Sequence, residues 1–166
     1  MIDYVKIYLR DVNVADLLNH PDLDFRGRYS STTGEHFDYP LESDYHCCKI
    51  ELLESRKKPQ TVHVVFTGSI HKMWNSINGI DSPSRFHSTG FNGNPFTLAD
   101  LEQTIIHLET LFGCDRGQMD LQNVEIGMNV ELPFNPMQFI SGLMLHRNKR
   151  ISLSEDGHYA QFAHQQ

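Results

Sequence analysis

Cysteine is scarce in this chain of 166 residues: Cys47, Cys48 and Cys114 are the whole complement. An odd number with two adjacent fits neither a secreted disulfide framework nor paired CxxC zinc ligands, so a reducing, cytoplasmic setting is expected. Long apolar runs are missing too. No segment approaches the roughly 18 consecutive apolar residues of a membrane span, and the opening MIDYVKIYLRDV lacks the basic-then-apolar order of a signal peptide. A soluble chain with no membrane partner follows. Positive charge is also short. The formal charge of -7 and a pI near 5.7 exclude wholesale electrostatic wrapping of nucleic acid. No GxxxxGK[ST], GxSxG or HExxH pattern occurs, which removes the usual signatures of P-loop hydrolysis, acyl transfer at a nucleophile elbow and zincin proteolysis.

What is present suits one domain over residues 1–166, with 39% hydrophobic residues to build a core. Residues 4–10, YVKIYLR, alternate at period two and read as a strand. NVADLLN (13–19) reads as a short helix ended by His20-Pro21. The polar, turn-rich stretch from Asp24 to Asp44 reads as a long excursion of moderate order. YHCCKIELLE (45–54) and TVHVVFTGS (61–69) read as a hairpin joined by SRKKPQ. Residues 75–94 look loop-like. TLADLEQTIIHLETLFG (97–113) is the most regular helix: Leu98, Leu101, Ile105, Leu108 and Phe112 share a face, Asp100 suits a capping box and Gly113 a C-terminal cap. VEIGMNVELPF (124–134) alternates as a strand, a helix MQFISGLMLH follows Asn135-Pro136, and the tail reads as strand and turn. The expected fold is α+β: an antiparallel sheet with helices on one face, around a ferredoxin-like or RNA-recognition (split βαβ) core.

Alternation then fixes the other face. It displays Tyr4, Lys6, Tyr8 and Arg10 from the first strand, His63, Val65 and Thr67 from the hairpin, and Glu125, Gly127, Asn129 and Glu131 from the later strand. Flat aromatic and cationic side chains on a sheet can stack bases and pair phosphates. An ordinary solvated strand carries the same residue types, so both readings stand. His63, Glu125 and Asn129 have the nitrogen and oxygen donors that suit Mg²⁺ or Mn²⁺. The basic clusters Arg26 and Arg28, Arg56-Lys57-Lys58 and His146–Arg150 are solvated or phosphate-contacting. Cys47-Cys48 reads as structural.

Three segments, FTGSIHKMWN (66–75), FNGNPFTLADLEQTI (91–105) and NVEIGMNVELPF (123–134), resemble the N-terminal region of phage and plasmid replication proteins of the gene II/X type. These resemble rolling-circle initiators, metal-dependent endonucleases that nick origin DNA and hold one end through a tyrosine. The resemblance implies that Lys72 and Glu125 are catalytic, that Lys72 positions a phosphate, and that Asn94 and Asn129 belong to the same set. It implies single-stranded or origin DNA as partner. The His-hydrophobic-His motif of typical nickases is absent, and the family continues beyond the equivalent of Gln166 into a Tyr-x-x-Lys-like strand. A nicking site incomplete within this chain is therefore expected. The competing expectation is a non-enzymatic, acidic, phage-encoded inhibitor or adaptor that binds a host protein.

Overall fold

A computed structural model describes residues 2–55, 61–82, 93–127, 133–135, 138, 145–146, 149–150, 152–153 and 160–161. The chain divides into two compact units, Met1–Met128 and Asn129–Gln166. The first holds a six-stranded antiparallel sheet made of β1 (Ile2–Leu9), β2 (Arg26–Tyr29), β3 (His36–Tyr45), β4 (Cys48–Glu54), β5 (Val62–Gly68) and β6 (Met119–Ile126), in the order β2-β3-β4-β5-β1-β6. Its helices are α1 (Val14–Leu18), α2 (Ile70–Ile77) and α3 (Leu98–Phe112). The fold is α+β, and the order β4-β5-β1-β6 is compatible with a ferredoxin-like core that β2 and β3 extend on one side.

Alternation sorts the side chains. Val5 and Leu9 of β1, Ile50 and Leu52 of β4, and Val64 and Phe66 of β5 are buried, and they form one core with Leu17 of α1, Ile70 and Met73 of α2, and Leu108, Leu111 and Phe112 of α3. All three helices thus pack on the same sheet face, where Phe66 meets Phe112 edge to face with ring centroids 5.7 Å apart. The turn from β5 into α2 requires glycine at position 68. Its φ is +141°, and a Cβ there would stand 2.6 Å from the Cys48 Cα.

α3 forms as its sequence predicts. Thr97 accepts the Asp100 amide and Asp100 accepts the Thr97 amide at 2.8 Å, closing the capping box, while Gly113 adopts the left-handed conformation at the other end. The buried stripe differs from the expected one. Leu98 is 84% exposed, and Thr104 takes a fully buried place by donating its hydroxyl to the Asp100 carbonyl at 2.7 Å.

The hairpin of β4 and β5 pairs as expected, Cys48 opposite Gly68 through Glu54 opposite Val62. The region from Asp24 to Asp44, expected as a long excursion of moderate order, forms the regular hairpin β2–β3, added to β4 through pairs such as Asp44 opposite Lys49. The loop expected from residue 75 begins only after α2, and residues 83–92 lie outside the described residues, as do Arg56-Lys57-Lys58. The last strand of the sheet starts at Met119, five residues earlier than the alternation suggested, and its expected part from Met128 to Leu132 lies outside the described residues.

In the second unit Leu145–His146 pairs with Lys149–Arg150, and Ser152–Leu153 with Ala160–Gln161. Of the helix expected over 137–146, Leu145–His146 are strand, and all the remaining residues except Gln138 lie outside the described residues. The strands Ser152–Leu153 and Ala160–Gln161 agree with the strand part of the tail's reading, and residues 154–159 lie outside the described residues. Among the described residues no helix is long and apolar enough to cross a membrane.

Candidate nucleic-acid interface

Ladder register decides which side chains meet, because directly opposed residues point to the same face. The face of the first unit over which no described helix packs, here the helix-free face, carries two cross-strand rows. One runs Asn123, Lys6, Thr67, Lys49, Asp44; the next runs Asp120, Tyr8, Val65, Glu51, Glu42, Arg26. Tyr4 lies opposite Glu125 at one end of this surface. Tyr4 and Tyr8 are half-buried and Lys6 is exposed, so β1 presents the alternating stripe that its sequence predicted.

At the other end, Tyr8 Oη and His63 Nδ1 share a short hydrogen bond, with ring centroids 5.3 Å apart. Arg10 is placed by two anchors. Its Nε meets the Asp120 carboxylate at 3.0 Å, and its Nη2 donates to the Gly117 carbonyl at 2.6 Å. These groups border a cavity of about 270 Å³ that also reaches Asp11, Thr61 and Val62.

The expected metal donors are not gathered. Glu125 opposes Tyr4, while His63 follows the Leu9–Val64 pair, so the two are separated by about six strand residues, roughly 20 Å along β1. Ligand distances of about 2.0–2.6 Å cannot bridge that gap with one ion. Asn129 lies outside the described residues, and among those described no group of three or more His, Cys, Asp or Glu side chains is placed to hold a metal. For His63 the reason is local: its ring is engaged with Tyr8.

Lys72 and Glu125 share one end of the sheet, since α2 starts directly after Gly68, whose row continues through Val5 to Val124. They belong to different faces. α2 sends Ile70, His71 and Met73 into the core, whereas exposed Glu125 stands with Tyr4 on the helix-free side. Asn94 has an architectural setting. Its amide donates to the Asn75 carbonyl oxygen at 2.7 Å and accepts from the Asn75 amide at 3.0 Å, and Asn75, itself buried, also donates to Ser82 at 3.1 Å. This reciprocal pair ties the α2–α3 connection back onto α2.

Sequence reading missed the contribution of β2, β3 and β4. Glu42 accepts from Arg28 and, at 3.0 Å, from Lys49, while Arg26 donates to Asp24 at 2.8 and 3.0 Å. The Lys49 ammonium, followed by the Arg28 guanidinium, holds the Glu42 carboxyl below the ordinary carboxylate range. The alternation of Lys49 and Glu51 with buried Ile50 and Leu52 was the available signal. The expected structural role of the cysteine pair suits Cys48, which is buried and whose thiol burial pushes up strongly. Comparison of the chain with protein-family models, with curated proteins and with solved structures finds no match.

Proposed function

We propose that the Met1–Met128 unit binds single-stranded nucleic acid on its helix-free face, as the N-terminal part of a rolling-circle replication initiator of the kind its motifs resemble. The carrying observation is the β1 stripe Tyr4–Lys6–Tyr8, two phenols flanking a lysine on a surface over which no described helix packs. Two rings four residues apart on one strand face, roughly 13 Å, suit the stacking of two separate bases, and Lys6 between them, which has no ion pair among the described residues, suits a phosphate. Nicking is not part of this reading, because Lys72 belongs to α2 on the helix side of the sheet and Glu125 to the face opposite.

The test is fluorescence anisotropy with a labelled oligothymidylate. Tyr8→Ala should weaken binding by about 5- to 150-fold, the equivalent of roughly 1–3 kcal/mol for one base stack, whereas Tyr8→Phe should keep most of the affinity. With most cations of this face already paired to carboxylates, the salt dependence should be shallow, about -0.7 in log–log slope for each phosphate neutralised. Absence of binding at low salt, or wild-type affinity in Tyr8→Ala, removes this reading. The same ion pairing, with the net charge of -7, favours a second one: a non-enzymatic adaptor for a host protein with a basic surface. A stoichiometric protein complex formed without any oligonucleotide affinity would select it.

A further inference from the structure

The β2–β4 end of the helix-free face has a cleft of about 200 Å³ lined by Asp24, Arg26, Arg28, Glu42, Asp44 and Lys49. Register creates an electrostatic problem there. Glu42 lies directly opposite Glu51, and like charges across an antiparallel pair repel. Two cations resolve it. Arg28 grips one Glu42 carboxylate oxygen and Lys49, at 3.0 Å, the other. A guanidinium and an ammonium converging on two oxygens of one anion form the donor set that also recognises phosphate.

We propose that this cleft is a phosphate-binding site whose place is held by the Glu42 carboxylate. An incoming phosphate group displaces Glu42 from Arg28 and Lys49, with Arg26 as a third cation at the rim. Displacement is feasible because the grip is at the surface. The Arg28 and Lys49 side chains are 63% and 44% exposed, and ion pairs so placed contribute little to stability. Acid does not open the site near neutrality, since the same two cations favour the charged form of Glu42. Competition by a stronger anion does. The cleft shares the face of the Tyr4–Lys6–Tyr8 stripe but needs none of its residues.

Tripolyphosphate is the probe, because it has no base to stack and so reads the cleft independently of the stripe. Titration calorimetry should show Glu42→Gln binding tripolyphosphate about tenfold more tightly than wild type, and the Glu42→Gln/Arg28→Gln pair losing that gain. In the wild-type protein, millimolar tripolyphosphate should shift the side-chain NMR signals of Arg28 and Lys49 before those of Lys6. Equal affinity in wild type and Glu42→Gln overturns the site, and so does a gain that persists without Arg28, which would be a general charge effect. A protein that binds tripolyphosphate in this pattern but no oligonucleotide keeps the phosphate site and loses only the stacking stripe.

Discussion

Phe66 and Thr67 are neighbours on β5 and belong to different environments. Phe66 is completely buried against Phe112, while Thr67 lies half-exposed in the row between Lys6 and Lys49. The same contrast runs across the sheet. One face is held by apolar side chains that exclude water; on the other, around the buried Val65, long polar side chains meet one another where water can reach them. Cohesion therefore concentrates on the helix side, and the opposite side can exchange partners without unfolding. Denaturant titration makes the contrast measurable. Phe66→Ala should cost about 3–5 kcal/mol, through lost burial and the cavity left behind. Thr67→Ala should stay within about 0.5 kcal/mol. Similar losses at the two positions would mean that the faces are not distinct.

Among the polar groups on the helix side is the pair of Asn75 and Asn94. Asn75 is 1% exposed, and its side chain is satisfied by partners rather than by water. Asn75→Ala should destabilise the protein by about 1–3 kcal/mol, because it strands the Asn94 amide and the Ser82 hydroxyl. Asn94→Ala should lower the melting temperature in the same sense while leaving oligonucleotide affinity unchanged. Loss of affinity without loss of stability in that variant would restore Asn94 to the contact role that the motif resemblance implied.

Legibility in the sequence followed the same division. β1, the β4–β5 hairpin and α3 were readable because their alternation, turn and caps are local. β2 hid because all four of its residues are exposed, so there is no burial pattern to write into the sequence. α2 hid because two of its four buried residues are His71 and Asn75, which break the apolar stripe of an amphipathic helix. β6 was read five residues late for a geometric reason. Ile7 opposes Leu121 but Lys6 opposes Asn123, leaving Gln122 as an extra residue, so the apolar set changes from odd positions (Met119, Leu121) to even ones (Val124, Ile126). Of the candidate site, the β1 stripe was visible because one strand contains it. The Tyr8–His63 bond, the clasp on Glu42 and the separation of His63 from Glu125 depend on register between strands, which period alone does not specify.

The smallest effect expected is a pH dependence at another polar contact of the helix side. His107 of α3 and Tyr45 of β3 share a hydrogen bond of 2.7 Å, beside His46, which is bonded to Ser76 of α2 at 2.8 Å. Burial lowers the affinity of His107 for a proton, a positive charge on His46 lowers it further, and Asp22 opposes the shift. The folded state then binds fewer protons at this ring than the unfolded chain does. The stability it contributes is fully present above the ordinary histidine value of 6.5 and is lost as the pH falls below that value and through the folded one. Melting temperatures between pH 7.5 and 5 should therefore decline less steeply in His107→Gln than in wild type. The carboxylate side acts in a separate window: Glu42, held below its ordinary value of 4.5, contributes stability that disappears only as the pH falls through its lower folded value. Tyr45→Phe distinguishes the causes at His107. It removes the hydrogen bond and keeps the burial, so a pH dependence that survives in Tyr45→Phe assigns the effect to desolvation, and one that vanishes assigns it to the bond.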